Sequence, residues 1–240
     1  MSDCIINPAR SKREPTLPSI GIFAVNPADS SCFPALARCH GLARHTLFHS
    51  QLYGNDTFFL AGPAVGAPMA AICLEKLIAL GARRILVYGW CGSLHPALVA
   101  GDLFIPTGGC SEEGTSGHYQ GAAGNGDDSL RLRLIDALTG ADAFATPKQG
   151  WIWTTDAVYR ETREKVEQYG ARGILAVDME YTALRTVAAF RRANLAAVML
   201  VSDELFHRSW SPRLDRKRFR SRSRQVLAGL CSLIQHGGIT

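Results

Sequence analysis

The chain has 240 residues, a formal net charge of +5 and 47% hydrophobic residues. This length suits one sizeable domain whose core needs no stabilising disulfide or metal, and the composition excludes disordered and fibrous proteins. No apolar run reaches the roughly 18 residues of a membrane span, and the N-terminal segment lacks the apolar core of a signal peptide. These features predict a cytoplasmic protein with no membrane partner.

The predicted elements alternate between strands and helices along the chain. Predicted strands lie at 19–26, 57–61, 83–90, 102–106, near 151–155, at 174–177 and at 196–203. Predicted helices lie at 69–80, near 129–138, near 160–169, at 179–191 and in the basic C-terminal segment. We expect a long loop over 108–129, which is rich in Gly, Ser, Asp and Asn. The alternation predicts an α/β fold built around one sheet, with a loose arm at 1–18 and a single domain at 19–240.

The seven cysteines and the positive charge have simple interpretations. The odd number of scattered cysteines, with no C-x-x-C pair, predicts reduced thiols. Eight basic residues and one acid lie between Arg208 and Arg224, so the remainder of the chain carries about −2. The apolar residues of the following helix lie on one side, namely Val226, Leu227, Leu230, Leu233 and Ile234. No nucleic-acid-binding motif accompanies this block, which favours a solvated helix or a basic rim near an anionic ligand over a nucleic-acid partner.

Three predicted strands end in residues that carry chemistry. Their sequences are LVYGWCGS at 86–93, ILAVDME at 174–180 and VMLVSD at 198–203. In α/β folds of this kind, ligands bind at the carboxyl ends of the strands. We therefore expect a binding site where these three ends meet, although acids at strand ends are also common as helix caps.

Seven short motifs follow one another over most of the chain. They are AGPAVG at 61–66, GWCGS at 89–93, GD at 101–102, EGTS at 113–116, TDAVY at 155–159, VDME at 177–180 and VSD at 201–203. Together, and in this order, they resemble the nucleoside phosphorylase family, which contains purine nucleoside phosphorylases, uridine phosphorylases and related nucleosidases. The resemblance implies a single-domain phosphorylase/hydrolase-like fold with a central mixed sheet flanked by helices.

The resemblance assigns the sugar of a nucleoside to Met179 and Glu180. In the family the carboxylate accepts hydrogen bonds from the ribose hydroxyls and the methionine packs on the sugar. An ionised carboxylate accepts two hydroxyl donors without donating, and a flexible thioether fills an irregular apolar surface. The alternative is a core methionine beside an acid in the first turn of a helix.

The resemblance places the base among residues from several strand ends. It implies that Asp203 is the catalytic acid that donates a proton or a hydrogen bond to the departing base, which relieves the negative charge developing there. Helix capping is the alternative role for Asp203. The other base-binding residues implied by the family are Cys91, Gly92, Val158, Tyr159, Val177 and Asp178.

The segment that binds phosphate in the family is poorly reproduced here. The family has Gly-Asp-Pro-x-Arg after the first strand, whereas this chain has VNPAD at 25–29, with Asp29 in place of the arginine. The strand before Gly89 lacks a second arginine, and Trp90 replaces a serine or threonine. Losing two guanidinium groups weakens anion binding by several kcal/mol on the scale of charged hydrogen bonds, about 2 kcal/mol each.

The candidates that remain for binding phosphate are Arg44, the backbone N–H groups near Gly62 and Gly66, and arginines of the basic C-terminal block. Arg44 matches an arginine that reaches the phosphate of a neighbouring subunit in hexameric relatives. The sequence leaves three hypotheses open: a phosphorylase with a rebuilt phosphate site, a nucleosidase that uses water, with Asp29 to activate it, or a member that binds a nucleoside without cleaving it.

The resemblance also implies an enzyme without a cofactor, with inorganic phosphate as co-substrate. A purine base is favoured and uridine is possible. Homo-oligomers are expected, as a dimer, a trimer of dimers or a hexamer. The segment with Cys39, His40, His45 and His49 includes a spacing that would place two histidines on one side of a helix, but it lacks a complete set of metal ligands, so no metal site is expected.

Overall fold

The computed structural model describes residues 4–119, 128–207, 210 and 215–239. Within them, nine strands form one mixed sheet: β1 Ile20–Ala24, β2 Ala43–Leu47, β3 Ser50–Gly54, β4 Phe59–Gly62, β5 Arg84–Ser93, β6 Leu103–Ser111, β7 Lys148–Thr154, β8 Ile174–Asp178 and β9 Asn194–Glu204. The α-helices are α1 Pro27–Ser30, α2 Phe33–His40, α3 Ala67–Ala79, α4 Ser129–Thr139, α5 Arg163–Ala171, α6 Tyr181–Phe190 and α7 Arg216–Gln235. Short 3-10 helices lie at Ser116–His118 and Val158–Arg160. The predicted α/β architecture with a central mixed sheet is confirmed.

The strand order is β2-β3-β4-β1-β5-β8-β7-β6-β9, and β9 also pairs with β5. The five strands β5, β8, β7, β6 and β9 therefore form a closed ring of pairings. Strand β5 lies parallel to β1 and β9 but antiparallel to β8. Because of this ring, β8 and β9 both pair with β5, so the three strand ends singled out in the sequence lie close together.

The core lies on both faces of the sheet. One cluster packs α3 and α6 against one face, with Leu74 and Leu184 fully buried. The other cluster packs α2, α4 and α7 against the opposite face, with Leu134 and Leu230 fully buried. Strand β1 is buried along its whole length, as expected for a parallel strand covered on both faces. Among the described residues, no helix is both long and apolar enough to cross a membrane.

The segment between β1 and β4 holds elements that the sequence did not predict. Helix α2 and the hairpin of β2 and β3 lie there. Strand β2 is exposed over most of its length, so it lacks the alternation of apolar and polar residues that identifies a half-buried strand. The pair His45 and His49 does not lie on a helix, because His45 is on β2 and His49 is in the turn between β2 and β3. No cluster of three metal-ligating side chains occurs in the described ranges.

Two other predictions need correction. The loop expected over 108–129 is wrong at its start, because β6 continues to Ser111, and residues 120–127 lie outside the described part. The arm expected over 1–18 is not loose near its end. Lys76 of α3 forms an ion pair with Glu14 at 2.7 Å and donates to the carbonyl of Ala9, and Leu17 is buried.

Candidate active site

A cavity of about 400 Å³ opens at the carboxyl ends of β1, β5, β8 and β9. Its lining consists of Val25, Asn26, Pro27, Val65, Trp90, Cys91, Gly92, Val158, Glu161, Val177, Asp178, Met179, Glu180, Ser202 and Asp203. The structure therefore brings together the three strand ends that the sequence singled out. Of the residues expected to bind ribose or base, all but Tyr159 line this cavity.

Asp178 organises the turn between β8 and α6. One of its oxygens accepts a hydrogen bond from Thr154 Oγ1 at 2.6 Å, and the other accepts from the backbone N–H groups of Glu180 and Tyr181 at 3.1 and 2.7 Å. Burial raises the pKa of this carboxyl, although the bond from Thr154 and the backbone bonds act in the opposite direction. Asp178 thus fixes the backbone that carries Glu180, and any contact with a base stays a prediction.

Glu180 is the N-cap residue of α6 and faces the cavity beside the half-buried Met179. Its Oε1 accepts a 2.6 Å hydrogen bond from the backbone N–H of Gly66, which has a φ of 81°. Burial and the neighbouring Asp178 charge raise the pKa of Glu180. Hydroxyl donors from a ligand would stabilise its ionised form, which is what binding of a sugar supplies.

An irregularity in the pairing of β5 with β9 aims Asp203 at the cavity. Cys91 pairs with Val201 but Gly92 pairs with Asp203, so Ser202 is the extra residue on β9. Such a bulge re-aims side chains next to a site. The hydroxyl of Ser202 lies 2.6 Å from Asp203 Oδ1 and 3.1 Å from the carbonyl oxygen of Cys91.

Close packing around the bulge explains why glycine occupies position 92. A Cβ added to Gly92 would lie 2.4 Å from Leu205 Cδ1 and 3.2 Å from Val177 Cγ1. The neighbouring Cys91 is buried, and burial raises the pKa of its thiol well above the ordinary value. The Cys91 side chain is therefore an uncharged part of the cavity wall.

A second cavity, of about 530 Å³, adjoins the first and shares Val158, Glu161 and Asp203 with it. Trp210 lines this second cavity and donates from Nε1 to Asp203 Oδ2 at 2.9 Å. Tyr159 lines only the second cavity, with its side chain 97% exposed. The expected stacking of Tyr159 on a base in the first cavity therefore lacks support from its position, whereas Val158 lines both cavities.

The segment expected to hold phosphate forms a buried polar network instead. Ser223 of α7 donates to Asp29 Oδ1 at 2.7 Å, and its oxygen lies 2.8 Å from both Trp90 Nε1 and the Tyr88 hydroxyl. Asp29 is 1% exposed and does not line the cavity. Burial raises the pKa of Asp29 to about 6, against the hydrogen bonds from Ser223 and Trp90. The hypothesis that Asp29 activates a water in the cavity therefore loses its geometric basis.

Three of the candidate phosphate groups lie outside the cavity lining. Arg44 is exposed on β2 near the edge of the sheet. Gly62 has a φ of 133°, and a Cβ there would lie 1.9 Å from the carbonyl oxygen of Ala24, so this glycine is needed for close backbone packing. The N–H of Gly66 is already donated to Glu180. Within this chain, the two glycines shape the backbone, and Gly66 positions the Glu180 carboxyl group.

The basic block lies mainly on the solvent side of α7. Asp215 caps this helix by accepting from the N–H groups of Lys217 and Arg218, and Phe219 and Ser223 are buried. Arg208 and Arg213 fall outside the described residues. None of the block's described basic side chains lines the first cavity, which agrees with a solvated helix.

Glu161 is the ionisable residue of the cavity lining that the sequence did not predict. It follows the 3-10 helix Val158–Arg160 and lines both cavities. In the sequence it is one acid within a charged stretch, ETREK at 161–165, so no local signal separates it from its solvent-exposed neighbour Glu164.

Comparison with known proteins identifies the family. The sequence profile of the phosphorylase superfamily matches residues 24–234. The chain belongs to this superfamily. It is 29% identical over 174 residues to DeoD-type purine nucleoside phosphorylases of Bacillus thuringiensis (strain Al Hakam) and Bacillus cereus (strain AH187), covering 70% of this chain and 72% of each relative.

The fold of this superfamily member also resembles a solved structure. A uridine phosphorylase from Vibrio fischeri ES114, complexed with 6-hydroxy-1-naphthoic acid, superposes with a TM-score of 0.76 at 18% identity, covering 92% of this chain and 91% of that one. The family and the fold predicted from the motifs are confirmed.

Proposed function

We propose that this protein is a nucleoside phosphorylase that cleaves the N-glycosidic bond of a purine nucleoside with inorganic phosphate, releasing the base and ribose 1-phosphate. The observation that carries this proposal is the meeting of Met179, Glu180 and Asp203 in one cavity. These are the positions that the family resemblance assigns to the sugar and to the departing base. Similarity to DeoD-type purine nucleoside phosphorylases favours a purine over uridine.

The assigned groups suit the charges of this reaction. When the bond breaks, positive charge develops on the ribosyl carbon and negative charge on the base. Glu180 holds the sugar through its hydroxyls and contributes negative potential near the ribosyl carbon. Asp203 faces the base side and relieves the negative charge there. The enzyme needs no cofactor for this chemistry, because the bond is polar and phosphate is the nucleophile.

Phosphate must then be bound by groups from outside the described lining. Arg44 is the candidate that the family resemblance provides, and it lies on an exposed strand, where it is free to reach the site of a second copy. This part of the proposal implies a homo-oligomer in which neighbouring copies complete each site. We place the enzyme in the cytoplasm, in the salvage of nucleosides.

A second function, hydrolysis by a nucleosidase, is favoured by one observation. The described lining of the first cavity contains four carboxyl groups and no Lys, Arg or His. Four acids disfavour the entry of an anion and tolerate water. Water as acceptor would give free ribose instead of ribose 1-phosphate.

The deciding experiment is product analysis with guanosine, inosine, adenosine and uridine, each with and without phosphate. Base and ribose 1-phosphate formed only with phosphate are the expected products. Free ribose at equal rates in both conditions identifies a nucleosidase. If no nucleoside is cleaved while nucleosides raise the Tm of the protein, the protein is a binding member and the proposal is wrong.

A further inference from the structure

Glu161 occupies a position on the base side of the site. It lines both cavities together with Val158 and Asp203, so its side chain stands where the two spaces adjoin. Its backbone is fixed by a hydrogen bond from its own N–H to the carbonyl of Val158 at 3.3 Å. It is therefore placed near the same part of a bound nucleoside as Asp203.

Hydrogen bonding distinguishes Glu161 from the other carboxyl groups of the first cavity. Asp203 accepts from Ser202 and Trp210, and Glu180 accepts from a backbone N–H. In the described ranges, no donor lies within hydrogen-bond distance of the Glu161 carboxyl. Donors stabilise the ionised form of an acid, so their absence favours a proton on Glu161.

The charges around Glu161 act in the same direction. Burial and the negative charges of Asp203 and Asp178 raise the pKa of Glu161 to about 7. The other titratable groups near it, Arg163 and His207, line the second cavity. A general acid is most effective when its pKa lies near the working pH, and Glu161 meets this condition.

We propose that Glu161 forms a base-protonating pair with Asp203, and that Glu161 carries the proton that is delivered to a ring nitrogen of the departing base. This inference rests on the proposed function and names a further catalytic residue for it. The bond between the ribosyl carbon and the base breaks, and its electron pair goes to the base. The base takes the proton from Glu161, and a phosphate oxygen forms the new bond to the ribosyl carbon. Solvent then returns a proton to Glu161.

The test compares guanosine with 7-methylguanosine in the wild type and in Glu161→Gln. The base of 7-methylguanosine carries a methyl group on the ring nitrogen N7 and leaves without needing a proton there, whereas guanine needs one. We expect Glu161→Gln to lower kcat on guanosine by roughly a hundredfold or more, and to change kcat on 7-methylguanosine by less than about threefold. Glu164→Gln, an exposed acid in the first turn of α5, is the matched control and should leave both rates unchanged.

The pH profile gives a second readout that a merely structural role would not change. In the wild type, kcat on guanosine should fall as the pH rises through about 7, because Glu161 loses its proton. This fall should be absent in Glu161→Gln and with 7-methylguanosine. Equal losses on both nucleosides, or an unchanged profile in the variant, would overturn the inference.

A binding measurement separates failure of this inference from failure of the proposed function. Guanine binding is measured by calorimetry at pH 8 in two buffers of different ionisation enthalpy, which reports protons taken up. If the wild type cleaves nothing but takes up a proton on binding guanine, and Glu161→Gln does not, the proposed function fails and the role of Glu161 stands. If the wild type cleaves nucleosides and Glu161→Gln keeps the same guanosine to 7-methylguanosine ratio, the inference alone fails.

Discussion

The two sides of the cavity use their carboxyl groups in opposite ways. On the side of β8 and β9, Glu180 and Asp203 face the cavity and keep acceptor capacity for a ligand. On the side of β1 and α1, Asp29 is buried and bonded to Ser223 of α7. Glu180 and Asp203 are therefore available to a ligand, while Asp29 is part of the protein core.

One hydroxyl group joins the polar residues on the buried side. The hydroxyl of Ser223 donates once and accepts twice, which is the full capacity of a serine. It bonds to Asp29 Oδ1, Trp90 and Tyr88 together, whereas Asp29 Oδ2 has no hydrogen-bond partner among the described residues. The Ser223 hydroxyl thus ties Asp29 of α1 and Trp90 of β5 to α7.

The largest expected effect is on the side of the cavity formed by β8 and β9. Asp203→Asn should lower kcat about a hundred- to ten-thousandfold, because the neutral amide removes the negative charge that favours the proton on Glu161. The measurement is phosphate-dependent release of base from guanosine. Asp142→Asn, at an exposed position away from the cavity, is the control. A variant with wild-type kcat would show that Asp203 has no role in catalysis.

Glu180→Gln should lower kcat/KM on a ribonucleoside about a hundredfold, since it weakens charged hydrogen bonds to two hydroxyls. The same variant should lose much less with a nucleoside that lacks the 2′ and 3′ hydroxyls. Steady-state kinetics on both nucleosides measure this difference, with the exposed Glu167→Gln as the control. Equal losses on the two nucleosides would show that Glu180 does not bind the sugar.

The buried hydrogen-bond network around Ser223 predicts an effect on stability. Ser223→Ala removes one hydroxyl and leaves the Tyr88 hydroxyl and Asp29 without that partner, so the free energy of unfolding should fall by roughly 2–4 kcal/mol. Urea unfolding measures the loss, and the exposed Ser221→Ala of the same helix should change it by less than about 0.5 kcal/mol. Matching values for the two variants would mean that the network does not stabilise the fold.

The smallest effect concerns the pH dependence of stability. The pKa of Asp29 is raised from 3.8 to about 6, so its contribution to stability is complete below pH 4 and is lost as the pH rises through 6. Relative to Asp29→Asn, the wild type should therefore lose at most about 3 kcal/mol between pH 4 and pH 7. Urea unfolding of both proteins at several pH values measures this difference. Parallel curves would show that Asp29 keeps its ordinary pKa in the fold.

Much of the fold and part of the site followed from local patterns. The buried strands β1, β5 and β9 are long apolar runs, and helices α3 and α6 have helical periodicity. These three strands and two helices were therefore predicted. The hairpin of β2 and β3 was not, because exposed strands near a sheet edge carry no apolar alternation. The boundary of α6 was placed two residues early because Asp178, not the helix itself, accepts the N–H groups of Glu180 and Tyr181.

The sequence alone determined the family, the mixed α/β architecture and the residues at the strand ends, because these depend on short motifs and on periodicity. Tertiary structure decided the partners of the acids. Asp29, Glu161 and Asp203 are all acids in the sequence. In the structure, Asp29 is bonded to the distant helix α7, Glu161 has no donor among the described residues, and Asp203 accepts two hydrogen bonds. Those differences come from burial and from contacts between residues far apart in the chain, which no local pattern in the sequence encodes.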